Sequence, residues 1–97
     1  MFYDGMTFAV VFRREEDGGY SVSVPALPGC FTQGDDLPEA LRNSVEAIEC
    51  HLESLHAHGD PIPADVESCS VDVRDTREAV IYKVTVGAAR AREAAVA

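Results

Sequence analysis

Residues 6–24 read MTFAVVFRREEDGGYSVSV, and this stretch decides the architecture. Phe8, Val10 and Phe12 alternate with Thr7, Ala9 and Val11. That is the two-residue period of a strand, predicted over Met6–Arg13. Asp17-Gly18 then supplies a tight reversal, because glycine adopts the positive φ that such turns require. Tyr20, Val22 and Val24 alternate with Ser21 and Ser23, so a second strand is predicted over Tyr20–Val24. The pair forms a hairpin with one apolar face and one small or polar face. The apolar face needs a cover.

Pro25 ends the second strand because it has no amide donor. Pro25-Ala26-Leu27-Pro28-Gly29 is a stiff loop, and a short third strand over Cys30–Gln33 is stopped by Gly34. The cover follows. Asp36 is a helix N-cap, Glu39 completes a capping box, and Pro38 sits in the first turn. Leu37, Leu41, Val45, Ile48, Leu52 and Leu55 fall within an arc of about 80° at helical spacing. Glu39, Arg42, Glu46, Glu49 and Glu53 lie opposite, as an acidic, solvent-facing back. Gly59, then Pro61 and Pro63, end the helix. Val66–Val73 and Ala79–Val86 read as two further strands with Arg74–Glu78 as their turn. The expected fold is therefore α+β: a hairpin, a third strand, one long amphipathic helix across the sheet, and one or two C-terminal strands.

The 97 residues suffice for one domain, expected over 1–86, with 87–97 as a short tail. A composition of 46% hydrophobic and 26% charged residues is that of a globular chain. The 17 acidic and 8 basic side chains give a net charge of −9, which opposes unaided nucleic-acid binding and favours a basic partner. No apolar run reaches membrane-span length, and the N-terminus lacks the pattern of a signal peptide. A cytoplasmic protein is expected. Cys30, Cys50 and Cys69 are too few to pair internally without a remainder, and no CxxC is present, which fits a reducing compartment.

The residues give no catalytic set. The interiors of the two hairpin strands carry no carboxylate, so the converging acids of metal-assisted phosphoryl chemistry are not expected. His51 and His58 are two helical turns apart, about 10.5 Å along the axis, too far for one ion. His56 has no partner at helical spacing. Cys30 sits in an exposed-looking turn with no neighbouring base to activate it, and Cys50 and Cys69 read as small fillers. No catalytic, metal or cofactor site is expected.

Gly19-Tyr20, Val22, Pro25, Leu27-Pro28-Gly29-Cys30, Thr32, Gly34 and Glu39-Ala40 form one ordered pattern. It resembles the HicB-like antitoxin family over about Phe8 to Pro63. The resemblance implies a partial ribonuclease-H-like fold and a role in neutralising HicA-like toxins, small basic RNA-cleaving proteins. Many such antitoxins carry a separate DNA-binding module. The 11 residues after Val86 are too few for one, so none is expected here.

The pattern residues are expected to be mainly structural, the Pro25–Gly34 segment doubling as a possible recognition loop. Glu46, Glu49 and Glu53 are the candidates for contact with a basic toxin. Ala9 and Val11 leave the second sheet face lightly covered, so a homodimer or higher homo-oligomer through the sheet is expected. The alternative is an orphan homo-oligomeric interaction module with no toxin partner.

Overall fold

The first chain reversal is built as the sequence dictates. Gly18 takes φ +92°, and the Glu15 amide donates to the Gly19 carbonyl at 2.7 Å. The Asp17 carboxylate accepts the Gly19 amide at 2.9 Å. In the computed structural model, which describes residues 1–68 and 77–87, this turn joins β1 (Thr7–Arg14) to β2 (Tyr20–Ser23). β3 (Phe31–Gly34), α1 (Leu37–Ala57) and β4 (Ala79–Thr85) follow. The four strands form one sheet in the order β3-β2-β1-β4, with every neighbouring pair antiparallel.

Strand limits move by a residue from the sequence reading, and the helix ends where its caps place it. The Asp36 carboxylate accepts the Glu39 amide at 2.8 Å. The Glu39 carboxylate reaches back to the Asp35 amide, one residue beyond the expected capping-box partner. At the other end Gly59 takes φ +72°, and the Asp60 amide bonds the Leu55 carbonyl at 2.9 Å. This closes the helix with the left-handed cap that favours glycine.

The sheet face carrying Phe8, Val10, Phe12, Val22, Val24 and Val84 packs under α1. The apolar stripe is rotated from its predicted centre. Ala40, Ser44, Ile48 and Leu52 are the fully buried helix positions, while Leu37, Leu41, Val45 and Leu55 are half-buried. Small residues take the innermost line because the helix lies close on β3. The Ser44 hydroxyl is satisfied there by the Leu41 carbonyl at 2.7 Å. Ile48 and Leu52 each contribute about 1.5–3 kcal/mol of apolar burial.

Two further segments complete the core. The N-terminal turn inserts Tyr3, 1% exposed, beside the helix. After the helix, the chain returns past β1, where β2 has already ended. There the Asp65 carboxylate accepts the Ala9 amide at 2.9 Å, a group that β2 leaves unpaired. Asp65 also takes the Lys83 ammonium of β4. Of the expected strand over 66–73, residues 66–68 are not in a strand. Positions 69–73, most of the Arg74–Glu78 turn, and the tail after Gly87 lie outside the described residues.

Candidate partner-binding surface

The family-pattern residues fall on the hairpin, the loop after it, and the helix start. Tyr20 pairs with Gly34 and Val22 with Thr32 across β2 and β3. Gly19 closes the hairpin turn, and Glu39 and Ala40 open the helix. Between β2 and β3 the chain makes two successive turns. The Leu27 amide bonds the Val24 carbonyl and the Cys30 amide bonds the Leu27 carbonyl, each at 3.0 Å. Leu27 and Cys30 point into the core, while Pro25, Pro28 and Gly29 face solvent. Gly29 takes φ +84°, which lets the loop turn Cys30 inward.

That placement corrects the sequence reading of Cys30. It is buried, and desolvation pushes its thiol pKa up, with the neighbouring Cys50 adding to the effect. Cys50, expected as a filler, is exposed. Cys69 lies outside the described residues. The His56 ring stacks on Phe2 at a centroid distance of 4.4 Å. The His58 ring bonds the Ser54 carbonyl at 2.7 Å. Among the described residues no three His, Cys, Asp or Glu side chains are placed to hold a metal ion, and no helix is long and apolar enough to cross a membrane.

The acidic helix back is only partly as expected. Glu46 and Glu53 are exposed, and Glu53 accepts the Tyr3 hydroxyl at 3.1 Å. Glu49 is 4% exposed and so does not face solvent. It lies about 20° from His56 on the helix wheel, at 100° per residue. That is the side on which Phe2 and Tyr3 dock. The sequence reading assigned the N-terminal turn no packing role, so nothing there was expected to cover this flank.

The sheet face away from the helix is organised in rows. Phe31, Ser23, Val11 and Ile81 stand side by side across β3, β2, β1 and β4. Contrary to expectation, Ala9 and Val11 are already buried within the single chain, at 3% and 9% exposure. Lys83 sits directly opposite Ala9, and both donate to the Asp65 carboxylate, Lys83 through its ammonium and Ala9 through its amide. The apolar groups exposed on this face are Phe31, at 72%, and Ile81, at 44%. A shallow groove of about 280 Å³ runs beside Phe31 and is lined by Val11, Arg13, Ser23, Pro25 and Arg77. Phe31 was missed as a surface residue. The signal was its alternation with inward Cys30 and Thr32, obscured by the shortness of the strand.

Asp65 also escaped the sequence reading. Partial burial pushes its carboxyl pKa up, but bonds from Lys83, Ala9 and Val66 outweigh that and hold it below the usual carboxylate range. At the hairpin, bonds from the Ser21 hydroxyl and the Arg77 guanidinium hold the Glu15 carboxyl low.

A family model described as the HicB-like antitoxin of bacterial toxin–antitoxin systems matches residues 8–95. The chain is 53% identical over 60 residues to a UPF0150 protein of Thermoplasma acidophilum, covering 62% of this chain and 87% of the relative. It is 36% identical over 70 residues to antitoxin HicB 1 of Photorhabdus laumondii, covering 70% of this chain and 45% of the relative. Its fold is similar to the N-terminal domain of Burkholderia pseudomallei antitoxin HicB, with TM-score 0.59 and 24% identity over 84% of this chain and 100% of that one. It is also similar to a chain of a HicA3 and HicB3 toxin–antitoxin complex, with TM-score 0.61 and 22% identity over 84% and 98%. At these identities the two structural likenesses speak to the fold.

Proposed function

The chain belongs to the HicB-like antitoxin family, and from that premise we propose that it neutralises a small basic HicA-like toxin by covering the surface that holds RNA. The observation that carries this reading is the pair of exposed carboxylates on the outer side of α1, Glu46 and Glu53, on a chain of net charge −9. A protein that holds RNA presents cations to phosphates. An acidic helix face competes for those cations without any bond being made or broken. The chain thus acts by occlusion and does no chemistry, and it needs no cofactor. It works in the cytoplasm, where the toxin meets its RNA. Its charge supports no direct nucleic-acid contact. We propose that it also associates with itself, for which the exposed Phe31 and Ile81 are the support.

The test is association rate against salt with the small basic protein that co-purifies from native cells. The Debye length shrinks from about 10 Å at 0.1 M to about 3 Å at 1 M, so the rate should fall steeply. Glu46→Lys with Glu53→Lys should slow association and flatten the salt slope. Unchanged rates and slopes would remove α1 from the interface. If no basic protein co-purifies while the self-associated form persists, the orphan interaction module replaces the antitoxin reading.

A further inference from the structure

The seam between β3 and α1 brings two cysteines level with each other. The strand and the helix run in opposite directions along it. At one end Gly34 abuts the backbone of Ala40. One residue back along the strand, the Asn43 side-chain amide donates to the Gln33 carbonyl at 2.7 Å, at the outer edge of the sheet. From Asn43 to Cys50 is seven residues, which is about 10.5 Å along the helix and within about 20° of two full turns. From Gln33 back to Cys30 is three residues, about 10 Å along the strand. Cys50 therefore comes beside Cys30, on the side of the helix from which Asn43 reaches the strand. The thiol pKa of Cys30 carries the same neighbourhood, since it is raised first by burial and then by the charge of Cys50. The two differ in access: Cys30 is 4% exposed and lies in the core, while Cys50 is exposed.

We propose that Cys30 and Cys50 are a redox pair, which closes to an intramolecular disulfide when the chain meets a small-molecule disulfide. The inference stands apart from the partner reading, and its test needs no partner. Access sets the order of events. The Cys50 thiolate attacks one sulfur of the small disulfide, whose S–S bond breaks, and one small thiolate leaves and takes up a proton. The Cys30 thiolate then attacks the Cys50 sulfur and displaces the second small thiolate, which is protonated in turn. The two protein thiols are oxidised by two electrons and the small disulfide is reduced to two thiols. The bond ties the end of the Pro25–Gly29 loop to α1. In a reducing compartment it is transient, which suits a sensor and not a permanent brace.

The test treats the reduced full chain at neutral pH with hydroxyethyl disulfide, an uncharged probe, and maps the products by mass after acid quenching. The wild type should pass through a mixed disulfide on Cys50 and end as a Cys30–Cys50 bond that dithiothreitol reverses. The second step is intramolecular, so its rate should not depend on probe concentration. Cys30→Ala should stop at the mixed disulfide, with circular dichroism confirming its fold. The closed form should unfold at a higher urea midpoint than the reduced chain, because the unfolded state is constrained. A wild type that stops at the Cys50 adduct would overturn the pair. So would a bond from either thiol to Cys69 or to a second chain. A Cys30–Cys50 bond that forms only in urea would also overturn it, since the folded chain would then hold the thiols apart.

Discussion

A Cβ added to Gly34 would lie 2.4 Å from the backbone nitrogen of Ala40 and 2.6 Å from its Cα. The third strand and the first turn of the helix therefore meet backbone to backbone, and the obstructing atoms cannot swing aside. Gly34→Ala must lift the helix or bend the strand. The expected loss is about 2–3 kcal/mol, the upper part of the usual range for overpacking. Urea titration should show a lower midpoint with little change in slope.

Glu46→Lys and Glu49→Lys should behave differently, although they sit three residues apart on one helix. Glu46 is exposed, so its reversal should change stability by no more than about 0.5 kcal/mol. Glu49 is buried, and an ammonium in its place should cost more than about 2 kcal/mol. Thermal melts of the two variants decide this. Equal melting temperatures would mean that the N-terminal flank does not cover Glu49 in solution.

Asp65→Ala removes the acceptor of the Ala9 amide and of the Lys83 ammonium. At pH 7 it should cost about 1–3 kcal/mol, the range for orphaning a buried donor. The folded pKa of Asp65 is depressed, so its stabilisation is complete above the ordinary aspartate range near pH 4 and is lost as pH falls through the folded value. The stability gap between wild type and variant should narrow below about pH 4. A gap that stays constant down to pH 2 would show that the carboxylate charge is not what holds the segment.

Cys30 and Cys50 should differ in access. The Cys30 thiol is buried and its pKa raised by desolvation, so a thiol reagent should reach it only when the domain opens. Cys50 is exposed and should react at once. Mass mapping of a short labelling pulse at neutral pH distinguishes the two, and rapid label on Cys30 would contradict the packing of the Pro25–Gly34 loop.

The hairpin and helix were legible because each is announced locally. Asp17-Gly18 specifies a reversal, and Asp36, Glu39 and Gly59 mark helix ends through contacts between near neighbours. The features that escaped depend on chain segments meeting from a distance. Tyr3 is buried only because the N-terminal turn docks on the helix near Glu53, fifty residues later. Asp65 matters only because β2 is too short to cover Ala9. The rotation of the helix stripe towards Ala40 and Ser44 follows from close approach to Gly34, which apolar periodicity does not register. Glu49 shows the limit of reading a helix wheel as two halves, since a third element can cover the flank.

The pairing of β1 with β4 has a consequence for how the chain is made. Thr7 lies opposite Thr85, and their hydroxyls bond at 2.8 Å across a separation of 78 residues. β1 thus leaves the ribosome well before β4, one of its two neighbours in the sheet. At roughly 5–20 residues per second, the central strand spends on the order of 4–16 s with that side open. The hairpin and helix can form in this interval from local contacts, but the sheet cannot close. Loop closure over so long a span makes β4 docking a slow, late event. During synthesis the half-built sheet is therefore most exposed to mispairing along the β1 edge that β4 later occupies.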